Sequence, residues 1–95
     1  MYYAVIFTST RTEVEAGYAE MATKMVELAK AQPGYIGMES ARSEIGITVS
    51  YWESLDAIKN WKANMEHFEA QQKGRTTWYK NYKVRIAKEE REYEF

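Results

Sequence analysis

The sequence predicts an α+β fold with the element order β-α-β-β-α-β, and three observations support this assignment. Residues 47–52 alternate with a period of two, which is the pattern of a strand with two usable faces. After Glu53, apolar residues recur three and four positions apart, as on an amphipathic helix. A short turn at residues 43–46 joins the strand to the one before it, which predicts a hairpin. The strand's two faces carry Ile47, Val49 and Tyr51 on one side and Thr48, Ser50 and Trp52 on the other.

The first strand and the first helix occupy the N-terminal third. The strand, Tyr2 to Thr10, is apolar at odd and even positions, which predicts burial on both faces and a central place in the sheet. Thr12 and Glu15 have the spacing of a capping box, so a helix is expected to begin there. Gly17 lies within that helix, either to allow a close approach to the sheet or as a tolerated exposed glycine. The predicted apolar stripe comprises Val14, Tyr18, Met21, Met25 and Leu28, and the helix ends at Gln32-Pro33-Gly34.

The C-terminal two thirds supply the other elements. Residues 35–42 form the second strand, which pairs with the strand at 47–52. Ser54 is placed to cap the second helix, which we expect to break or bend near Asn64 and to continue to about Gln72. A loop at 73–75 precedes the last strand, and a solvated extension begins at Lys88. Tyr82, Val84 and Ile86 alternate along that strand with Lys83, Arg85 and Ala87.

These elements predict one domain, residues 1–95, with the ferredoxin-like arrangement of a four-stranded antiparallel sheet and both helices on one face. Two helices cover only one face of such a sheet. Strands one and three nevertheless carry large side chains on both faces. We therefore expect a second copy of the chain to cover the free face, as a homodimer with two-fold symmetry.

Composition narrows the function classes. The 13 basic and 14 acidic residues leave a net charge of −1, which argues against nucleic-acid binding. No apolar run approaches the length of a membrane span, and the N-terminus lacks the features of a signal peptide, so a soluble cytoplasmic protein is expected. The chain has no cysteine and a single histidine, which argues against a disulfide, a thiolate nucleophile or a metal site.

Three segments resemble the antibiotic biosynthesis monooxygenase (ABM) family. They are residues 47–58, which contain the Trp-Glu-Ser junction of strand and helix, residues 32–37, and residues 61–67. The resemblance implies a dimeric α/β barrel of two ferredoxin-like subunits packed sheet to sheet. It also implies a range of activities: some members oxygenate polycyclic phenols without metal or flavin, some degrade haem, and some act on small signalling molecules.

The resemblance extends only partly to the reactive residues. Trp52 matches the oxygenating members, but Thr48 stands where they carry Asn, and Ile58 stands where they carry Tyr. Trp61 matches a Trp of the haem-degrading members, whose iron ligand would fall at Gln71, a poor ligand for iron. His67 lies four residues too early to replace that ligand. Haem degradation is therefore not expected, and no cofactor is implied.

The candidate catalytic residues are Trp52, Thr48 and His67. His67 is the natural general base, but on an unbroken helix it lies on the polar face, and only a bend near Asn64 would turn it toward a pocket. Trp52 could stack on a flat ligand or belong to the core. The hydroxyls of Thr48 and Ser50 mark either a polar pocket floor or a solvated patch. The expected pocket residues are Trp61, Ser50, Ile58 and Trp78.

Two functions remain open. The first is a cofactor-independent monooxygenase that acts on a small aromatic substrate, either a phenol or a quinone precursor. The second is a non-catalytic dimeric protein of the same fold that binds small ligands or serves in a stress response. Oxygen uptake with an aromatic substrate would distinguish the two.

Overall fold

The computed structural model describes residues 2–72 and 75–95, with side chains described for residues 2–66 and 77–95. It confirms the predicted order of strands and helices and adds one short helix before the last strand. In chain order the elements are β1 (Tyr3–Arg11), α1 (Tyr18–Lys30), β2 (Tyr35–Arg42), β3 (Gly46–Trp52), α2 (Leu55–Gln72), α3 (Arg75–Trp78) and β4 (Tyr79–Lys88).

The four strands form one antiparallel sheet in the order β2-β3-β1-β4, so β1 is internal, as its apolar pattern predicted. Val5 of β1 lies opposite Ser50 of β3, and these side chains share the face on which the helices pack. The buried core lies between that face and the helices. Its members are Val5, Ala29, Trp52, Ala57, Ile58 and Trp61.

The first helix begins later than predicted, and the capping box at Thr12 and Glu15 is wrong. The hydroxyl of Thr12 donates to the carbonyl of Thr77 and accepts from the backbone N–H of Val14, so it is not available to a helix. α1 instead starts after Gly17, which has a φ of 80° and provides no side-chain cap. A Cβ at Gly17 would lie 3.1 Å from the Trp78 ring, so this glycine does allow a close approach, but from the loop before the helix.

The second helix begins as predicted. The Ser54 hydroxyl accepts a hydrogen bond from the backbone N–H of Ala57 at 3.1 Å, which is an N-cap contact. The predicted break near Asn64 is absent, because helical residues run without interruption from Leu55 to Gln72. The Asn64 amide donates back to the carbonyl of Asn60 at 2.9 Å and therefore fits within the helix. None of the described helices is long and apolar enough to cross a membrane.

The two faces of the sheet differ in cover. On the face away from the helices, Ile47 is 46% exposed, and the neighbouring Ile6, Val49 and Tyr51 are half-buried. The register places Ile6 beside Val49 and Ile47 one pair further along β3, so these side chains form a continuous apolar surface. The helix-covered face contains the core and a large cavity.

Candidate functional site

A cavity of about 840 Å³ lies between the sheet and the two long helices. Met21 and Met25 of α1 and Met65 of α2 form part of its roof. Along β4 the cover is incomplete, because Val84 and Ile86 line the cavity and are still 43% and 51% exposed. Its volume lies within the range of small-molecule sites, which is about 300–1,000 Å³.

The helix-covered face of the sheet, part of which is the floor of the cavity, consists of rows of side chains that lie side by side across the strands. Successive rows are two residues apart along each strand, a distance of about 7 Å. The row at one end is termed the Arg42 row and the row at the other end the Trp52 row. From the first to the last, the rows are Arg42, Gly46, Ser9 and Tyr82; Ser40, Thr48, Phe7 and Val84; Met38, Ser50, Val5 and Ile86; Tyr35, Trp52, Tyr3 and Lys88.

Trp52 lies in the core. Its indole is 0% exposed, stacks on Trp61 with ring centroids 6.0 Å apart, and meets Tyr35 edge-on at 5.6 Å. Its Nε1 donates to the hydroxyl of Ser50 at 2.8 Å. Of the two roles that the sequence left open for Trp52, the geometry corresponds to packing, since this indole is not part of the described cavity wall. Trp61, which covers it, does line the cavity.

Thr48 carries a hydroxyl on the cavity floor that has no described hydrogen bond, as does its neighbour Ser40 on β2. Thr48 is half-buried and lines the cavity between the Arg42 row and Ser50. Its side chain makes no hydrogen bond with any group that the structure describes, whereas Ser50 is 4% exposed and already accepts from Trp52. Within the described part of the chain, no group occupies the Thr48 hydroxyl, which suits it to bind a ligand oxygen.

The other predicted site residues are placed as follows. Ile58 is 4% exposed and Trp78 is 8% exposed, and both line the cavity. The Trp78 indole donates to the carbonyl of Ala16 at 2.8 Å, which fixes the ring at the end of the cavity near the Arg42 row. His67 and Gln71 belong to α2, but their side chains lie outside the described residues. The role of His67 and the expectation against haem degradation therefore stay predictions.

A cluster of aromatic rings occupies the Arg42 end of the cavity. The sequence analysis did not predict this cluster. Phe7 lies between Tyr79, at 5.7 Å, and Tyr82, at 5.3 Å, and Tyr18 meets Tyr79 edge-on at 6.0 Å. Burial, followed by a side-chain hydrogen bond with Tyr18, raises the pKa of the Tyr79 hydroxyl above its ordinary value. Tyr79 is therefore a neutral phenol at physiological pH. The alternation along β4 was a signal for this cluster, but it did not reveal which rings meet.

Two arginines lie near these rings and were also missed. The guanidinium of Arg11 lies 3.3 Å from the centroid of the Tyr18 ring, and its Nη2 is 3.6 Å from a Glu15 carboxylate oxygen. The guanidinium of Arg42 lies over Gly46, and its Nη2 donates to the hydroxyl of Ser9, which is 2% exposed. Among the described residues, no three His, Cys, Asp or Glu side chains are grouped as they would be to hold a metal ion.

With this geometry in place, comparison with known proteins identifies the family. A model of the antibiotic biosynthesis monooxygenase family matches residues 1–73. The chain belongs to this family. An uncharacterized protein of Bacillus subtilis strain 168, YqjZ, is 53% identical over 93 residues, which cover 96% of this chain and 82% of YqjZ. This antibiotic biosynthesis monooxygenase relationship agrees with the resemblance of the strand-to-helix junction.

Solved structures confirm the ferredoxin-like fold of this family member. SnoaB, a cofactor-independent oxygenase from Streptomyces nogalater, matches with a TM-score of 0.78 and 12% identity over 96% of this chain and 95% of that one. Rv0793 from Mycobacterium tuberculosis matches with a TM-score of 0.80 and 13% identity over 97% of this chain and 98% of that one. At such low identities the two matches establish the fold alone.

Proposed function

We propose that this member of the antibiotic biosynthesis monooxygenase family oxidises a small aromatic phenol or quinone precursor with dioxygen and without a cofactor. The observation that carries the proposal is the hydroxyl of Thr48, which has no hydrogen-bond partner among the described residues and lies on the floor of a cavity of about 840 Å³ with largely apolar and aromatic walls. Family membership supports the same class of reaction. The similar structure of SnoaB, which is a cofactor-independent oxygenase, gives the proposal a precedent.

The proposed reaction uses electrons from the substrate itself. In an anthrone, a base removes a proton from the ring CH₂ group, and the resulting carbanion gives its electrons to dioxygen. One oxygen atom becomes the new carbonyl of the quinone, and the other leaves as water with both hydrogens of the CH₂ group. The anthrone is oxidised because its CH₂ group exchanges two C–H bonds for a C=O bond. Dioxygen is reduced, with one atom in the quinone carbonyl and the other in water. His67 is the base candidate that the sequence offers.

Thr48 is the proposed donor to the substrate oxygen that gains negative charge when the proton leaves. A donor that binds such an oxygen typically accelerates a reaction about 10²–10³-fold. A threonine hydroxyl has a shorter reach than the Asn expected at this position in oxygenating relatives, and Ile58 offers no donor. We therefore expect weak activity. Trp52 acts as a positioning residue, since it supports Trp61 and engages the hydroxyl of Ser50.

Oxygen-electrode measurements with one anthrone test the proposal. Thr48→Asn should raise the rate of oxygen uptake, and Thr48→Val should lower it, while both variants bind the anthrone. Thr23→Val is the matched control, because Thr23 is exposed on α1 and bonds the carbonyl of Ala19 outside the cavity. No oxygen uptake by the wild type or by Thr48→Asn, with the anthrone bound, would contradict the enzyme and favour the ligand-binding alternative.

We also propose that the protein acts as a homodimer. The support is the apolar outer face of the sheet, where Ile47 is 46% exposed beside Ile6 and Val49. Sedimentation at micromolar concentration should give twice the 11.2 kDa of one chain. Ile6→Asp should halve that mass, because a carboxylate buried in the interface would cost several kcal/mol. A wild-type mass of one chain would contradict this proposal.

A further inference from the structure

Arg42 is an exposed residue that lines one end of the cavity. Its side chain starts on β2, crosses β3 at Gly46 and reaches Ser9 on β1. A Cβ on Gly46 would overlap the guanidinium, so the side chain can take this path only because residue 46 is a glycine. The buried hydroxyl of Ser9 then holds one nitrogen of the guanidinium. The Arg42 row therefore places a positive charge at a defined end of the cavity.

This charge lacks a carboxylate partner within the described part of the chain. Two described cations line the cavity, and the other, Lys62, lies 3.8 Å from the carboxylate of Glu66. Arg11 lies close by but is committed to Glu15 and to the ring of Tyr18. For Arg42, the hydrogen bond to Ser9 is the one described hydrogen bond of the guanidinium, and its charge also acts on the phenol of Tyr79. Among the described residues, nothing else occupies the remaining N–H groups of Arg42, which suits them to bind an anion.

We infer that Arg42 is an anion subsite and that the natural ligand of the cavity is an aromatic acid. A guanidinium presents donors in a planar fork that matches the two oxygens of a carboxylate. Phe7, Tyr79 and Tyr82 line the cavity beside it and offer ring surfaces for a flat ligand. This inference rests on the proposed function in one respect, since it names the class of substrate for the same cavity.

The register also sets the spacing of the two polar groups on the ligand. Thr48 is two residues along β3 from Gly46, over which the guanidinium lies, so the two contact points are about 7 Å apart. A ligand that binds both needs its carboxylate and its phenolic oxygen on opposite sides of an aromatic system. 6-Hydroxy-2-naphthoate has this arrangement. Its methyl ester is nearly the same shape but lacks the negative charge.

Binding of these two probes, measured by calorimetry without turnover, tests the subsite. Wild-type protein should bind the naphthoate about 10–100-fold more tightly than the ester, which is the usual effect of one hydrogen-bonded charge pair. Arg42→Gln should reduce the affinity for the naphthoate to that for the ester and leave the ester unchanged. Arg91→Gln is the matched control, because Arg91 is exposed in the C-terminal tail, and it should behave as wild type.

Gly46→Ala moves the Arg42 guanidinium but keeps its charge, so this variant tests whether the position of the charge matters. The added methyl group displaces the flexible end of Arg42, so the fold should keep its melting temperature, while the preference for the naphthoate should fall about tenfold or more. Three results would overturn the inference. These are equal wild-type affinity for the two probes, no binding of the naphthoate at millimolar concentration, and an unchanged preference in Arg42→Gln.

The same measurements distinguish this inference from the proposed oxygenase activity. Acid selectivity that disappears in Arg42→Gln, in a protein that consumes no oxygen with any anthrone, would support the anion subsite and contradict the enzyme. Oxygen uptake with a neutral anthrone, together with equal binding of the two naphthalene probes, would support the enzyme and contradict the anion subsite.

Discussion

The two ends of the helix-covered sheet face are built from aromatic residues but differ in what those residues do. At the Trp52 end, Trp52 and Trp61 stack, and the one polar hydrogen of the buried indole is satisfied by Ser50. At the Arg42 end, the rings of Phe7 and Tyr79 meet edge-on at 5.7 Å, and the nearby guanidinium of Arg42 has no carboxylate partner among the described residues. The first end is packed as core, and the second is the end that we propose binds a ligand.

This difference shows why the most conspicuous residues of a sequence are not always the reactive ones. The tryptophans are the strongest local signals in the chain, and two of them support the packed end. The groups that we propose bind a ligand, Thr48 and Arg42, are ordinary residues that the strand register brings to the cavity. Mutations at the two ends should therefore affect different quantities, with stability sensitive at one end and ligand binding at the other.

The largest expected effect is that of Trp52→Ala on stability. Removing a fully buried indole that contacts Tyr35 and Trp61 should lower the free energy of unfolding by about 3–5 kcal/mol. Urea denaturation measures this loss. Tyr82→Ala at the other end serves as the comparison and should cost less, since Tyr82 is only half-buried. Equal losses at the two positions would show that both ends are packed alike.

Two glycines with positive φ provide the next comparison, one at each end. A Cβ on Gly34 would lie 2.6 Å from the Cβ of Ala57, whereas a Cβ on Gly17 would lie 3.1 Å from the ring of Trp78. Both alanine variants lose about 1–2 kcal/mol of unfolding free energy through the left-handed backbone. Gly34→Ala should lose about 1–3 kcal/mol more, because neither Cβ can move away. Thermal and urea unfolding of the pair would contradict this if Gly17→Ala were the less stable.

Ser50 and Thr48, neighbours on one face of β3, should differ in how much stability is lost when their hydroxyls are removed. Ser50→Ala leaves the indole N–H of Trp52 buried without a partner, which should cost about 1–3 kcal/mol of unfolding free energy. Thr48→Val removes a hydroxyl without a described hydrogen bond and should change stability by no more than about 0.5 kcal/mol. In a Trp52→Phe background, which has no such N–H, Ser50→Ala should become nearly neutral. If Ser50→Ala still cost about 1–3 kcal/mol of unfolding free energy in that background, Ser50 would stabilise the fold through a contact other than the indole N–H.

Much of the fold was predictable because it depends on local patterns. Alternation along residues 47–52 assigned Thr48 and Ser50 to the face that proved to contain the cavity, and Ser54 caps its helix as expected. The capping box failed because the Thr12 hydroxyl bonds the carbonyl of Thr77, a residue 65 positions away. No local pattern contains such a contact.

The candidate site was less predictable for the same reason. Arg42 reaches Ser9 only across a third strand, at the position where that strand has no side chain. Each of the three residues is unremarkable by itself, and the sequence does not show that they form one row. The role of Trp52 was ambiguous because a large aromatic residue is suited both to a core and to a ligand. Only its complete burial distinguishes the two.

The smallest expected effect concerns the phenol of Tyr79 at the Arg42 end. Burial raises its pKa above the ordinary value of 10.0, so the unfolded chain loses this proton first as the pH rises. The contribution of Tyr79 to stability is therefore complete below pH 10 and is lost progressively above it. Wild-type protein should lose more thermal stability between pH 9 and 11 than Tyr79→Phe does. Tyr93→Phe, a change in the exposed tail, should follow the wild-type curve, and parallel curves for wild type and Tyr79→Phe would mean that this phenol is not shielded from water.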